Sequence, residues 1–306
     1  MTSVHTERRA AKRSAVEEGS KRSIGPLRLR ACGAPLSVNV FLLSALAFSC
    51  ATPLSALTKE QRLETPAGAI TVRSHPEGKP DDASMVAKAL EQAGTRLSKW
   101  GALDQPVAIH LMPTHQDLEG AVRRYGYDWL RAWAQYDNVL LQTPSTWATN
   151  ELDVAELLAH ELTHCLMYQR AGTPQNWMRK GIPLWFREGM ATFTALQGYR
   201  WMTLEDLARV YERGAGHDPI ADAEAMYQSQ SAAVYAASHY AFTFLVDRYG
   251  REAVERTLEN MSKGDQFDAA FEKGVGLHPD RFSAEFRRYI VWRAFRGTGA
   301  PIRSAH

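Results

Sequence analysis

The sequence has few cysteines and only one long apolar run. Three cysteines occur in its 306 residues, and only Cys165 lies beyond residue 50. No disulfide can therefore form within the body of the chain, which excludes a disulfide-stapled miniprotein. The apolar run covers residues 38–49, and as a helix it would span about 18 Å, too short for the hydrocarbon core of a bilayer of roughly 30 Å. This excludes a multi-span membrane protein.

The body of the chain also lacks an excess of basic charge. The formal net charge is +2, from 36 basic and 34 acidic residues, but residues 1–37 hold eight of the basic and three of the acidic ones. Residues 51–306 are left with 28 basic and 31 acidic side chains, a net charge of −3. We expect no nucleic-acid partner, because such a balance gives no basic surface for phosphates. The hydrophobic fraction of 45% suits a globular chain with a substantial core.

The first 50 residues have the order of an export signal. A basic stretch precedes the apolar run 38–49, and small residues end it. Two processing routes stay open, a small-x-small cleavage site at residues 45–47 or a bacterial lipobox at residues 46–50 with Cys50 as the lipid-bearing residue. An amphiphilic N-terminus without export is a third interpretation. We expect a leader over residues 1–50 and a location in the bacterial cell envelope, attached to the membrane through the lipid or periplasmic, or else secretion.

Hydrophobic periodicity divides the remaining chain into two halves. A polar tether over residues 51–68 precedes an alternation of strands and helices, predicted at 69–74, 83–100, 107–112, 115–125 and 137–143. From residue 150 onward the pattern is helical almost throughout. We predict an α+β fold in one domain over residues 69–300, with a small mixed α/β lobe at 69–149 and a mainly helical lobe at 150–300.

The strongest chemical signal is the motif His-Glu-x-x-His at residues 160–164. On a helix, His160 and His164 lie one turn and 40° apart, so their imidazoles can converge on one tetrahedral ion. Glu161 projects beside them, where it can act as a base without being a ligand. A catalytic zinc site needs a third protein ligand. Glu188 can supply it from a second helix, 24 residues after His164.

The two motifs together resemble those of gluzincin metallopeptidases, specifically the bacterial peptidase MA-like group. The resemblance rests on H-E-L-T-H at 160–164 and W-F-R-E-G-M-A at 185–191, and it extends over about 137–250. It implies a zincin-like fold and a Zn²⁺ ion that activates water for the hydrolysis of peptide bonds. The implied roles are metal ligand for His160, His164 and Glu188, and general base for Glu161.

The same resemblance implies a residue that stabilises the oxyanion. The family pattern of a tyrosine followed by small residues and ending in Tyr-Gly matches residues 235–250, which makes Tyr235 the candidate. His239 and Tyr240 on the same helix are rivals, and a core aromatic without a catalytic role is the other interpretation of Tyr235. Thr192 departs from the pattern, because thermolysin-like relatives place an acidic residue there. The partner that orients the metal-binding histidine therefore stays unassigned.

The resemblance also implies a site for an extended peptide or protein substrate. In gluzincin folds an edge strand over the cleft pairs with the peptide, and 137–143 is the natural edge because it precedes the zinc helix; a core strand is the alternative. The aromatic segment 125–133 either forms the floor of a pocket or, as we favour, packs between the lobes. Arg187 either binds a substrate carboxylate or pairs with an acidic residue, and we favour the pairing.

Two functions remain open at this point. The first is an exported zinc metallopeptidase, and the second is a non-catalytic envelope lipoprotein that keeps the scaffold to bind a peptide or protein partner. Glu161 favours the first, because a scaffold used only for binding has no need of the base. The sequence lacks an amine-anchoring motif of the type G-x-M-E-N, which weakens the aminopeptidase option. A zinc hydrolase acting on another type of bond is not excluded.

Overall fold

The computed structural model describes residues 53–213 and 217–296. The predicted leader with Cys50, and the residues of the helical lobe beyond 296, lie outside the described residues. Within the described ranges, no helix combines the length and the apolar character that crossing a bilayer requires.

A five-stranded mixed sheet forms the centre of the first half of the chain. Its strands are β1 (Lys59–Thr65), β2 (Gly68–Ser74), β3 (Val107–Met112), β4 (Ala132–Ala134) and β5 (Asn138–Gln142). Their spatial order is β1-β2-β3-β5-β4. Strands β2, β3 and β5 run parallel, whereas β1 and β4 are antiparallel to their neighbours. The sheet therefore ends in an antiparallel strand on both sides.

Two features of the sheet correct the sequence predictions. Residues 59–65, predicted as part of a polar tether, form β1, which pairs with β2 along its whole length. Most side chains of β1 are exposed, so its sequence K-E-Q-R-L-E-T lacks the apolar alternation that would have revealed a strand. The predicted edge strand 137–143 is β5, which lies between β3 and β4 and is not an edge. The edge on that side of the sheet is β4, a strand of three residues that the sequence did not predict.

Helices cover both faces of the sheet. Helices α1 (Pro80–Leu97) and α3 (Glu151–Ala171) pack together on one face, and the shorter α2 (His115–Val122) covers the other. The β3 side chains alternate accordingly: Ile109 belongs to the core under α1 and α3, and Met112 belongs to the core under α2. The helix that carries the His-Glu-x-x-His motif is thus held directly against the sheet.

The second half of the described chain is helical. It consists of α4 (Leu184–Thr194), α5 (Leu204–Arg213), α6 (Ala223–Tyr249), α7 (Arg251–Ser262), α8 (Phe267–Val275) and α9 (Pro279–Arg296). Helix α6 begins earlier than the predicted residue 231 and has a kink at Gln230, where φ is −139° and ψ is 41°. A small sheet with helices followed by a mainly helical part confirms the predicted α+β class.

Aromatic packing fixes the position of α4. Trp185 stacks on Phe282 of α9 with ring centroids 5.2 Å apart, and Phe186 meets Phe242 of α6 edge-to-face at 5.5 Å. A glycine lets α4 approach α6 closely, because a Cβ on Gly189 would lie only 2.5 Å from the backbone oxygen of Ser238. These contacts surround Glu188, the residue between Arg187 and Gly189, so the position of its backbone is set by the core.

Candidate metal centre

Helix α3 carries both histidines and is capped at its start. The Asn150 side chain accepts hydrogen bonds from the backbone N–H groups of Leu152 at 2.8 Å and Asp153 at 3.1 Å. This satisfies two of the amide groups that the first turn leaves free. Further along, the helix is buried, and Glu161 and His164 are each only 7% exposed. The cap and the burial together hold the motif in a fixed orientation.

The side chains of His160, His164 and Glu188 converge between α3 and α4. The Nε2 atoms of His160 and His164 are 3.2 Å apart. Glu188 Oε2 lies 3.3 Å from His160 Nε2, and Glu188 Oε1 lies 3.8 Å from His164 Nε2. Among the described residues, these are the only three from the set His, Cys, Asp and Glu whose ligand atoms all lie within 4.8 Å of one another. The structure therefore brings together the three residues that the sequence nominated as ligands.

The distances in this triad of His160, His164 and Glu188 fit a tetrahedral divalent ion. Zinc binds imidazole nitrogen and carboxylate oxygen at about 2.0–2.2 Å, so two such ligands in a tetrahedron are about 3.3–3.6 Å apart. The observed separations of 3.2, 3.3 and 3.8 Å lie close to that range. Two imidazoles and one carboxylate are also a donor set that catalytic zinc accepts. The residues present fit the metal that the sequence predicts.

Gln197 is the partner of His160 that the sequence left unassigned. Its Oε1 lies 3.1 Å from His160 Nδ1. Because an amide oxygen only accepts, Nδ1 carries the proton and Nε2 keeps its lone pair for the triad. Gln197 follows α4 in a turn where Leu196 adopts a left-handed backbone with φ 61° and ψ 35°. Because Gln197 lies beyond the end of α4, the spacing of residues along that helix does not relate it to Glu188. The sequence therefore gave no indication that Gln197 would contact His160.

Thr192, at the position where an acidic residue was expected, does not orient a histidine of the triad. Its hydroxyl donates to the backbone oxygen of Glu188 at 2.7 Å and lies 3.3 Å from His239 Nδ1. His239 is thereby engaged with α4. Tyr240 is also engaged elsewhere, because its hydroxyl donates to the backbone oxygen of Met202 at 3.1 Å. Both rivals of Tyr235 therefore already have partners.

A cavity of about 690 Å³ opens beside His160 and Glu161, and Tyr235 lies in its wall. We call it the tyrosine-side cavity. The Tyr235 hydroxyl is 3.1 Å from that of Tyr227, and its ring stacks on Trp201 with centroids 4.9 Å apart. Of the three aromatic candidates for the oxyanion role, Tyr235 is the one that lines this cavity.

A second cavity, of about 480 Å³, opens on the side of Glu188 and Arg187. We call it the arginine-side cavity. Trp129 and Tyr227 line both cavities, and their rings meet edge-to-face at 6.4 Å. The aromatic segment 125–133 thus forms cavity wall and, through Trp129, also contacts the helical half. Packing between the halves, the interpretation that we favoured, describes only part of its environment.

Arg187 does not form the acid pair that the sequence favoured. No carboxylate of the described residues lies within 4.0 Å of its guanidinium. The Nε of its guanidinium is buried without a hydrogen-bond partner. The prediction failed because the nearest carboxylate in sequence, that of Glu188, turns toward the histidines instead.

Burial and charge set the proton affinities around the triad. Burial raises the pKa of Glu161 to about 7, although nearby His160 opposes the change. Burial lowers the pKa of His164 to about 3. Burial also disfavours the ionised form of Glu188, but the two histidines outweigh it and lower the pKa to about 2. Burial and the Glu188 charge raise the pKa of Tyr235 well above its usual 10, so its phenol remains a hydrogen-bond donor at neutral pH.

Comparison with known proteins places the chain in a family. The family model described as Peptidase MA superfamily matches residues 86–292. An uncharacterized protein of Bacillus subtilis (strain 168), YhcO, is 24% identical over 132 residues, which are 43% of this chain and 40% of that protein.

Among solved structures, an M1 zinc metallopeptidase from Deinococcus radiodurans has 14% identity and a TM-score of 0.41, covering 81% of this chain and 53% of its own. A two-domain M1 zinc metallopeptidase mutant bound to L-arginine has 14% identity and a TM-score of 0.39, covering 76% and 51%. The chain thus spans about half the length of these relatives or less. Since the family model covers more than half of the 306 residues, the chain belongs to the Peptidase MA superfamily.

Proposed function

We propose that the protein is a zinc-dependent metallopeptidase acting on peptides or proteins. The convergence of His160, His164 and Glu188 beside Glu161, in a chain of the Peptidase MA superfamily, carries the proposal. The first three residues would hold the metal. When bound, zinc supplies Lewis acidity that polarises a scissile carbonyl and makes water acidic enough to ionise near neutral pH.

Glu161 transfers the proton in this mechanism. Its carboxylate takes a proton from the attacking water, and the water oxygen bonds to the carbonyl carbon of the substrate. Glu161 then delivers the proton to the amide nitrogen as the C–N bond breaks, which leaves a carboxylic acid and an amine. Its place in the wall of the tyrosine-side cavity, next to His160, supports this role.

Tyr235 stabilises the charge that develops on the carbonyl oxygen. Its hydroxyl is a protonated donor in the wall of the cavity that also contains Glu161. The hydroxyl of Tyr227, 3.1 Å away, holds the phenol in place. A hydrogen-bond donor fixed before the reaction begins needs no reorganisation when the oxyanion forms.

The edge strand β4 provides the backbone surface for an extended substrate. Its Ala132 lines the tyrosine-side cavity and its Ala134 lines the arginine-side cavity. On its outer side β4 pairs with no described strand. A peptide that adds to this edge would cross from one cavity to the other beside the triad.

The test compares zinc-loaded wild type with Glu161→Gln on a pool of random peptides, with products identified by mass spectrometry. We expect cleavage by the wild type and none by Glu161→Gln at equal zinc content. Glu156→Gln is the matched control, because Glu156 is a buried glutamate of the same helix that pairs with Arg200 away from the triad. Cleavage that persists in Glu161→Gln would refute the mechanism. A fully zinc-loaded wild type that cleaves nothing would favour the binding scaffold.

We further propose that the protein is exported and that Cys50 carries a lipid. The order of a basic stretch, an apolar run and small residues supports export. Radiolabelled palmitate should enter the wild type but not Cys50→Ala, and the mature wild-type chain should begin at Cys50. A mature chain that begins at residue 48 without lipid would favour cleavage after residues 45–47, and one that keeps residues 1–49 would contradict export.

A further inference from the structure

We propose that Arg187 forms a carboxylate-binding subsite in the arginine-side cavity and thereby selects peptides that place a carboxylate next to the scissile bond. The inference rests on the proposed peptidase function and names the chemistry of its substrates. It starts from a charged side chain that the mechanism does not use.

The position of Arg187 connects this subsite to the triad. Arg187 and Glu188 are consecutive residues of α4, and both line the arginine-side cavity. Ala134 of the edge strand lines the same cavity. A peptide that pairs with β4 and leaves the triad on this side would therefore pass Arg187 within about one residue of the reacting bond.

The Arg187 guanidinium forms no ion pair with a described carboxylate. The Tyr168 ring lines the same cavity and stacks nearly parallel to that of His164, with centroids 6.0 Å apart and planes 12° apart. The Arg187 Nε is buried and has no hydrogen-bond partner. A guanidinium that forms no ion pair keeps the planar pair of donors with which it can bind a carboxylate through two hydrogen bonds.

The other charged side chains of the cavity do not prevent a ligand carboxylate from binding. Arg124 contributes a second guanidinium, whose carbon lies 4.9 Å from the ring centroid of Trp133. Glu224 also lines the cavity and acts against an anion, but it is solvent-exposed and its Oε1 accepts a hydrogen bond from the backbone N–H of Leu184 at 3.0 Å. The charges of these residues, with Arg187 and Glu188, sum to zero, and a divalent cation bound in the triad would make the cavity positive.

The apolar walls strengthen the attraction. Aromatic and aliphatic side chains form most of the remaining lining, among them Trp129, Trp133, Trp177 and Met178. Opposite charges attract more strongly where apolar groups displace water. A volume of about 480 Å³ is also within the usual range of small-ligand sites. In a peptide, the carboxylate comes either from the C-terminus or from an Asp or Glu side chain.

The experiment measures binding instead of turnover. Zinc-loaded Glu161→Gln protein is titrated with three probes of the sequence Ala-Phe-Leu-Ala that carry an uncharged coumarin fluorophore on the N-terminus: one with a free C-terminus, one amidated, and one amidated with glutamate in place of leucine. We expect at least one carboxylate probe to bind about tenfold more tightly than the neutral amidated one. The same probes are then tested with Arg187→Gln, Arg187→Lys or Arg179→Gln added to the Glu161→Gln protein, and the zinc content of each protein is measured.

The proposal predicts that Arg187→Gln abolishes the tenfold preference and that Arg187→Lys keeps part of it. Arg179→Gln is the matched control, because Arg179 is exposed and does not line the cavity, and it should keep the preference. The free C-terminus and the glutamate side chain are distinguished by which probe gains affinity. Equal binding of charged and neutral probes, including no measurable binding of any, would overturn the subsite, as would a preference that survives Arg187→Gln. A Glu161→Gln protein that cleaves the probes would refute the proposed mechanism instead and leave the binding comparison intact.

Discussion

Gln197 gives the sharpest test of how the chain supports its candidate metal centre. Its side-chain oxygen lies 3.1 Å from His160 Nδ1 and is the partner that fixes the proton on that nitrogen. In Gln197→Leu the side chain keeps a similar length but loses the acceptor. The His160 imidazole can then rotate and interconvert between its two neutral tautomers. Only the tautomer with the proton on Nδ1 presents a free Nε2 lone pair to the triad.

The expected loss follows from the role of such partners. Removing the residue that orients a metal-binding histidine typically weakens metal affinity or activity by about 10–100-fold. On the free-energy scale this is about 1.4–2.7 kcal/mol. Gln197 is 9% exposed, so water replaces the lost amide oxygen poorly and the effect should lie in the upper part of this range.

The measurement is zinc affinity in competition with a chromophoric chelator, at constant pH and ionic strength. Tyr199→Phe is the matched control: it lies in the same short turn but bonds Glu156 instead of the triad, so its zinc affinity should stay within twofold of wild type. Gln197→Glu should restore or exceed the wild-type affinity, since a carboxylate accepts the same proton more strongly. A folded Gln197→Leu protein with wild-type zinc affinity would refute the assignment of Gln197 as the orienting partner.

Three further predictions follow from the described contacts. Tyr235→Phe should lower kcat by about 10²–10³ with unchanged zinc content, measured by steady-state hydrolysis; a kcat within a factor of three of wild type would remove Tyr235 from the mechanism. Gly189→Ala should lower the free energy of unfolding by about 1–3 kcal/mol in a denaturant titration, because its Cβ would lie 2.5 Å from the Ser238 oxygen and 2.8 Å from the Phe242 Cβ; an unchanged midpoint would contradict the close packing of α4 on α6. Burial lowers the pKa of His239 to about 4, so between pH 6.5 and 4 the unfolded chain binds more protons at this residue than the folded one and stability falls as the pH falls. His239→Asn should flatten that dependence in thermal unfolding followed by circular dichroism, whereas an identical slope in wild type and variant would show that His239 does not contribute.

The parts of the structure that the sequence predicted are those controlled by local rules. Helix α3 follows from the Asn150 cap and from acidic residues in its first turn, and its 3.6-residue period alone places His160 and His164 on one side. Helix α4 follows from Pro183 and from the apolar residues behind it. The positions of the candidate site residues on these two helices were predictable for the same reason.

The parts that the sequence did not predict depend on pairing or on turns. Strand β1 forms because β2 offers a partner across a tight turn, although its own side chains give no strand pattern. Gln197 reaches His160 because the chain after α4 turns through the left-handed conformation of Leu196, which a leucine seldom adopts. Arg187 lacks an acidic partner because Glu188 turns toward the histidines. In each case contacts between residues far apart in the sequence determine the structure, and the local sequence pattern does not indicate such contacts.

The length of the edge strand bears on how the proposed enzyme would select its substrates. Strand β4 has three residues, and along one edge of an antiparallel strand only alternate residues direct their N–H and C=O groups outward. An added peptide therefore gains at most the bonds of about two residues, and these bonds are the same for every sequence. Backbone pairing of this extent aligns a peptide but does not discriminate between peptides. Discrimination must then come from side chains in the two cavities, where the aromatic walls and Arg187 are the groups that distinguish one substrate from another.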